Sequence, residues 1–262
     1  MQSESGYAPF SEPEKVAMEP AGLKLLFIMK KVLKIDVWSD IVCPWCAVGK
    51  RRLEAALASF PHKDDVEVVW RAFELDPSAP ALQEGNNAAR LAQKYGKTKA
   101  QAEAMMLQLA ETAAKDGLDF HLLEAKSGNT FDGHRVLHLA AERGVQNAVK
   151  ERFFRGYMTE GLAIGDHEVL VRLASEAGLD AEEVRAVLAS DRYASDVRGE
   201  EENARALGIT GVPFFVLGGK YAISGAQPAD MILRALEQAW ASLPEREPAA
   251  AEGAVCGPEG CA

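Results

Sequence analysis

Apolar and charged positions alternate from Val32 to Val37, where Lys and Asp separate Val, Leu and Ile. That period of two predicts a strand. Leu53, Ala56, Leu57 and Phe60 then recur at helical spacing, and Pro44 suits the first turn of that helix. After a turn at Asp64-Asp65, the run Val66 to Phe73 predicts a second strand, ended by Asp76-Pro77-Ser78-Ala79-Pro80. A long block of helical period follows, with helices expected over Ala88–Tyr95, Thr98 to Lys115, Thr130–Arg143, Gln146–Met158, His167–Glu176, Ala181–Ala189 and Tyr193–Leu207. Thr98, Asp166 and Asp180 are the expected N-caps, and Gly96, Gly117, Gly144 and Gly178 the expected stops. Strand character returns over Thr210–Leu217. Gly218-Gly219 then turns the chain into a hairpin partner at Lys220–Ser224. A last amphipathic helix is expected over Gln227–Ala241, with Ile232, Leu233, Leu236 and Trp240 on one face.

The chain has 262 residues, enough for one large domain or a small domain with a sizeable insertion. Its net charge of -10 argues against a nucleic-acid or anionic-membrane surface. The apolar run Leu23–Ile28 is too short to span a bilayer and is broken by Lys24. No basic leader precedes it, so a cytoplasmic protein is expected. Met29-Lys30-Lys31-Val32 reads as a natural start followed by the first strand. Residues 1–28 are expected to be a disordered or mis-assigned extension. The expected organisation is an α/β unit in two halves, 29–80 and 208–243. Residues 81–207 form a helical insertion plus a return helix. Residues 244–262, rich in Glu, Ala, Pro and Gly, form a flexible tail.

Only four cysteines occur, at 43, 46, 256 and 261, which is too few for a structural disulfide framework. Cys43-Pro44-Trp45-Cys46 lies between strand and helix, with Cys43 at the helix N-terminus and Cys46 one turn inside. Unpaired N–H groups there favour a thiolate at Cys43, which is the reactive species. Cys46 is placed to resolve a mixed disulfide. C-x-x-C is also half of a zinc site, but the preceding strand and the internal Pro favour redox chemistry. No metal site or cofactor is expected.

Strand-helix-strand, a helical insertion, then helix-strand-strand-helix is a thioredoxin-type order. Three segments make the chain resemble the DsbA family of thioredoxin-fold oxidoreductases, in its FrnE-like branch. They are Ser39 to Cys46, Asn129-Thr130-Phe131-Asp132-Gly133-His134-Arg135, and Gly211-Val212-Pro213-Phe214-Phe215. The likeness runs from about Lys34 to Trp240. It implies a thioredoxin fold carrying a large α-helical insertion, with catalytic Cys43 and Cys46. It also implies a cis-proline at Pro213, opposite the dithiol. Val212 and Pro213, with Pro44 and Trp45, would then position an extended peptide by strand addition. The implied activity is thiol–disulfide exchange on protein thiols and disulfides, as reduction or isomerisation in a reducing cytoplasm, with glutathione or thioredoxin as candidate electron donors.

The likeness extends to glutathione-dependent isomerases and kappa-type glutathione transferases, which act on small molecules. Those usually carry Ser and lack the second cysteine, so Cys43 and Cys46 tell against them. A zinc-binding or holdase-like module is a third class. The family's buried acid, six positions before the first Cys, is Val37 here, flanked by Asp36 and Asp40. Asp36 should point to the other strand face, and Asp40 reads as a turn or cap residue, leaving the proton acceptor for Cys46 open. Trp45 replaces the His of strongly oxidising members, so the Cys43 pKa is expected to be lowered, but less than in those members.

Cys256 and Cys261 flank Gly257, Pro258 and Gly260, residues that favour a turn. The residues between Leu243 and Cys256 span about 20 Å as a flexible chain, enough to reach a nearby active site. The pair reads equally as an auxiliary electron shuttle and as an exposed dithiol that oxidises passively. His134 and His138 have metal-compatible spacing without a third ligand, so packing or capping is expected. Asn129 and Thr130 are expected to cap a helix. Met105, Met106, Leu107 and Leu109 read most simply as core of the insertion and alternatively as the lining of a substrate groove.

Overall fold

The computed structural model describes residues 31–244, apart from 84 and 86. Strand β1 (Leu33–Ser39) leads into helix α1 (Pro44–Ala58), and a short 3-10 turn at Lys63–Asp65 leads into β2 (Val66–Ala72). Seven helices follow: α2 (Asn87–Tyr95), α3 (Lys99–Lys115), α4 (Phe131–Glu142), α5 (Gln146–Met158), α6 (His167–Glu176), α7 (Ala181–Leu188) and α8 (Ala194–Ala206). The chain returns through β3 (Phe214–Leu217), β4 (Tyr221–Ser224) and α9 (Ala229–Ser242). The sheet order is β2-β1-β3-β4. β1 runs parallel to β2 and antiparallel to β3, and β3 pairs antiparallel with β4.

Local chemistry accounts for most element ends. The Thr98 hydroxyl accepts from the Gln101 amide while the Gln101 side chain accepts from the Thr98 amide, a reciprocal cap at the start of α3. Asp166 and Asp180 each accept from two amides of the following first turn. Gly218 and Gly219 both take positive φ in the β3–β4 turn. β3 is shorter than the expected Thr210–Leu217, because Pro213 has no N–H to give the ladder and pairing begins at Phe214. At α4, of the two expected caps only Asn129 acts as one. The Thr130 side chain makes no cap bond, and the Asn129 side chain accepts from the Phe131 amide at 2.8 Å.

The sheet and its flanking helices α1 and α9 bury Leu33, Ile35, Val37, Leu53, Phe215 and Leu236 together. A second core lies among α4–α7 and includes Val136, Phe153, Leu170 and Val184. Ile41, Cys43, Cys46 and Val48 belong to this second core rather than to that of the sheet. The dithiol is therefore gripped by the helical block.

Among the described residues, the outer edge of β2 carries no further strand. Side chains satisfy its backbone instead. Gln146 both accepts from the Trp70 amide (3.1 Å) and donates to its carbonyl (3.0 Å). Glu200 accepts from the Ala72 amide at 2.7 Å, and Glu201 from the Glu74 amide at 3.2 Å. Covering the edge in this way removes a template for pairing with another chain. It also fixes α5 and α8 to the sheet beside the cysteines.

Candidate active site

Cys43 occupies the N-cap position of α1 in extended geometry, followed by Pro44 at the first helical position. Its amide donates to the Asp40 carbonyl at 3.3 Å and its carbonyl accepts from the Cys46 amide at 3.0 Å, a tight turn at the start of the helix. Both cysteines are free and buried. Trp45, between them in sequence, is 43% exposed.

The Val212–Pro213 peptide bond is cis. The Cys43 thiol donates to the Val212 carbonyl at 3.6 Å. Sequence separation of 169 residues is thus closed directly at the reactive sulfur. Pro44, Trp45 and Val212 line the same opening as Cys43. Pro213 stands behind it against α1.

That opening is a cleft of about 1110 Å³ between the dithiol turn and the helices α2 and α3. Met105, Met106 and Leu109 form one wall. Met106 is buried, but Met105 is 36% and Leu107 54% exposed, so this stretch is not simply core. Tyr157, Ser127 and Asn87 supply polar groups. Ser127 Oγ donates to Asn87 Oδ1 at 2.6 Å and lies 2.9 Å from the Tyr157 hydroxyl. Such a mixture of apolar wall and few grouped polar atoms is characteristic of ligand clefts.

Beneath the dithiol lies a buried set of charges that sequence reasoning largely missed. Asp40 is almost wholly buried. It accepts from the Leu75 amide at 2.7 Å and lies 3.5 Å from His134 Nε2. Burial pushes its carboxyl up. His134, the Leu75 amide and Thr130 outweigh that and hold it below the usual carboxylate value. Thr130, read from the sequence as a cap, thus serves Asp40. Burial lowers His134, against the pull of Asp40. His138 instead meets Glu200, Nε2 to Oε2 3.3 Å, and stacks on Tyr193. The two histidines go to different carboxylates, and among the described residues no cluster of three metal-ligating side chains forms.

Lys150 of α5 is fully buried. Its Nζ donates to the Ser39 carbonyl at 3.2 Å and sits over the rings of Trp70 (5.8 Å) and Phe154 (5.1 Å). Burial pushes its pKa down to about 8, opposed first by the charge of Cys46 and then by Asp40, Cys43 and Glu200. One signal in the sequence could have found it. Lys150 falls on the same stripe as Val149, Phe153, Phe154 and Tyr157, where a helix should be apolar.

The expected lowering of Cys43 is not what the geometry produces. A hydrogen bond with Cys46 and burial push the Cys43 thiol well above its ordinary value, with repulsion from Cys46 and Asp40 in the same direction. The Cys46 amide at the helix N-terminus works the other way and is outweighed. Asp36 lies away from the site, paired with Arg71 at 2.6 Å, as its strand position predicted. Gly133 of α4 approaches the dithiol turn so closely that a Cβ would stand 2.6 Å from Ile41 Cδ1. Cys256 and Cys261 lie outside the described residues.

The family model for the DSBA-like thioredoxin domain matches residues 34–237. The chain belongs to the DSBA-like thioredoxin domain family. The DSBA-like chain is similar to YwbO, an uncharacterized protein of Bacillus subtilis, with 31% identity over 208 residues, covering 77% of this chain and 94% of YwbO. It is similar to the crystal structure of SCO1869 from Streptomyces coelicolor, named a probable DsbA oxidoreductase, with 48% identity and a TM-score of 0.78 over 88% of this chain and 98% of that one. The fold is also that of the cytosolic disulfide reductase DsbM of Pseudomonas aeruginosa, crystallised with GSH. The identity there is 18% and the TM-score 0.52, over 79% of this chain and 96% of that one. These comparisons place the protein in the thiol–disulfide oxidoreductase fold class. No helix among the described residues is long and apolar enough to cross a membrane.

Proposed function

We propose that this protein reduces or isomerises disulfides in protein substrates through Cys43 and Cys46. The observation that carries the reading is the Cys43 sulfur at a helix N-terminus, 3.6 Å from the Val212 carbonyl and at the mouth of the cleft. Cys43, as thiolate, attacks one sulfur of a substrate disulfide. A Cys43–substrate bond forms and the other substrate sulfur leaves with the bonding pair. Cys46, after losing its proton, attacks Cys43. The Cys43–Cys46 bond forms and the second substrate sulfur departs as thiolate. The two electrons of the dithiol have then passed to the substrate. A donor thiol, of the glutathione or thioredoxin kind, restores the dithiol. Val212 and Pro213 present backbone to an extended peptide beside Cys43, and Pro44 and Trp45 border it. Cys256 and Cys261 serve as an auxiliary pair exchanging with Cys43 and Cys46. The site of action in this reading is the cytoplasm.

The test is reduction of insulin and recovery of scrambled ribonuclease by the purified full chain with either donor. Turnover that vanishes in Cys43→Ser supports the reading. Equal turnover in that variant removes it. A Cys256→Ser/Cys261→Ser chain with unchanged turnover and potential removes the auxiliary role.

One observation favours a second reading. The cleft, at about 1110 Å³, is deep enough to enclose a small molecule, and DsbM on the same fold was crystallised with GSH. A glutathione-linked small-molecule substrate would then occupy the space between Cys43 and Tyr157. Turnover of low-molecular-weight mixed disulfides without activity on insulin would select it.

A further inference from the structure

We infer that the Tyr157 hydroxyl oxygen is the specificity-determining acceptor of the cleft, and that it takes the amide N–H of a peptide-type, low-molecular-weight disulfide whose sulfur meets Cys43. The inference deepens the small-molecule reading above and rests on it.

The hydrogen-bond chain at this end of the cleft is anchored at Asn87. The Asn87 side-chain nitrogen donates to two backbone carbonyls, that of Ala125 at 2.6 Å and that of Leu122 at 3.4 Å. Its oxygen accepts from Ser127 Oγ at 2.6 Å and from Arg90 Nη2. Two acceptors at the nitrogen and two donors at the oxygen leave one orientation for this side chain. Ser127 has a single hydroxyl proton, and Asn87 takes it. Toward the Tyr157 hydroxyl, 2.9 Å away, Ser127 Oγ is therefore an acceptor. The one phenolic proton is committed to Ser127. Tyr157 is left with a lone pair to offer and no donor.

The phenol stays in this state. Tyr157 is 5% exposed. Burial, opposed by Ser127 and Asn87 and joined by the charge of Asp40, holds its pKa above the usual phenol range. The other buried polar side chains lining the cleft behave alike. Asp40 is held as a carboxylate with no proton to give, and the Thr130 side chain bonds to it. The Cys43 thiol donates to the Val212 carbonyl. The depth of the cleft thus presents acceptors to whatever enters it.

A ligand that reaches Tyr157 with a carbonyl, ester or carboxylate oxygen sets lone pair against lone pair and leaves buried oxygens unpaired, at a cost. A ligand that brings an N–H satisfies the site. A neutral amide suits an uncharged acceptor beside Met106 and Leu109, because it avoids the desolvation that an ammonium would suffer there. Tyr157 lines the cleft yet is nearly closed to solvent, so the slender end of a small molecule reaches it while the sulfur lies at Cys43. The amide keeps its proton on nitrogen. This contact is binding alone, and the sulfur exchange remains that of Cys43 and Cys46.

The experiment uses matched pairs of symmetrical disulfides, each an acetamide and its acetate ester, in which oxygen replaces the N–H. The group stands two, three or four carbons from the sulfur. Single-turnover oxidation of the reduced full chain by each compound gives a half-saturating concentration and a limiting rate. Separating the two keeps the intrinsic reactivity of the disulfide out of the comparison. At the spacing that fits, the amide should half-saturate the wild type at a concentration about tenfold below its ester. In Tyr157→Phe the two should agree within about twofold. In Ser127→Ala the phenolic proton loses its acceptor and is free to turn toward the ester oxygen, so the preference should shrink or reverse. A purely structural role would weaken both members of a pair equally. A wild type without preference at any spacing, or a preference that survives Tyr157→Phe, overturns the inference and leaves the small-molecule reading standing. If Tyr157→Phe does not fold, Ser127→Ala decides, and a preference retained there at full size overturns it. If neither compound oxidises the dithiol while insulin does, the small-molecule reading falls and this inference with it.

Discussion

Gly49 and Pro213 touch, with no room between them for a side chain. A Cβ at Gly49 would lie 2.9 Å from Pro213 Cγ and 3.2 Å from Phe215 Cζ. Gly49 is one turn beyond Cys46 on α1, so this contact fixes the depth at which the dithiol sits against the Val212–Pro213 segment. Gly49→Ala gains about 1 kcal/mol of helix propensity. It meets a rigid ring rather than the far end of a flexible chain, and overpacking of that kind costs about 1–3 kcal/mol. The second effect wins. We expect a net loss of stability in urea titration together with slower disulfide reduction, since Pro213 must retreat from Cys43. A variant as stable and as fast as wild type would show that the contact does not set the site.

Cys46→Ser removes the leading causes that push the Cys43 thiol up, namely the hydrogen bond with Cys46 and the repulsion from its charge. A serine hydroxyl donates to a thiolate and cannot ionise beside it. The Cys43 alkylation midpoint should therefore fall relative to the wild-type dithiol, when rate is followed against pH. The same variant should accumulate a covalent adduct with a disulfide substrate, because nothing remains to resolve it. An unchanged midpoint would mean that burial alone governs Cys43.

The sequence made some of this architecture legible and hid the rest for physical reasons. Residues that act within their own segment were readable. α5 and α6 begin and end where their periodicity and the Asp166 cap put them, and Gly117 and Gly178 stop their helices in positive φ. Cys43, Pro44 and Trp45 could be placed because a strand, a turn and a helix start are local events. Lys150 and Asp40 were not readable in the same way. Each is defined by partners 35 or more residues away in the chain: Lys150 by Ser39, Asp40 by Leu75 and His134. A buried charge looks like a surface charge until the packing is known. Met105 shows the converse: its apolar run reads most simply as core, with a groove lining as the alternative, and Met105 stands partly exposed on the wall of the cleft.

Asp40→Asn tests the buried acid directly. The Asp40 carboxyl is held below its ordinary 3.8, so its folded value lies under the unfolded one. Its stabilising contribution is therefore present above about pH 4 and is lost as pH falls through the folded value. Replacing a buried, charge-assisted acceptor for the Leu75 amide should cost about 1.5–3 kcal/mol at pH 7. Thermal melts should show the gap between variant and wild type closing below pH 4. Because the Asp40 charge also raises Cys43, the alkylation midpoint of Cys43 should fall in the variant. A midpoint that rises would contradict the arrangement.

Glu74 supplies a pH dependence of opposite sign. Its side chain is buried beside Glu201 and bonded to Arg198, and burial pushes its pKa up from 4.5 to about 7, against Arg198 and with repulsion from Glu201. The native state holds a proton there that the unfolded chain releases. Stability from this group is present below 4.5 and is lost as pH rises toward 7. Glu74→Gln keeps the shape without the charge. The variant should exceed wild type in melting temperature at pH 8, with the difference shrinking toward pH 5. A variant less stable at pH 8 would show that the Arg198 pair outweighs the repulsion.

Met105→Trp separates the cleft from the chemistry. Met105 lines the wall of α3 across from Cys43, is partly exposed, and belongs to neither the dithiol nor the buried charges beneath it. A larger ring at this position narrows the space in front of the reactive sulfur and leaves Val212, Asp40 and Lys150 in place. The glutathione equilibrium of Cys43 and Cys46 should then stay at its wild-type position, since no group that sets it has changed. KM for a disulfide substrate that enters the cleft should rise several-fold. A small mixed disulfide and an unfolded protein make different demands on the wall, and measuring KM for both reveals which of them passes it. If KM rises for neither, substrates reach Cys43 from the Trp45 side, and the cleft between α2, α3 and the dithiol is not the route of entry.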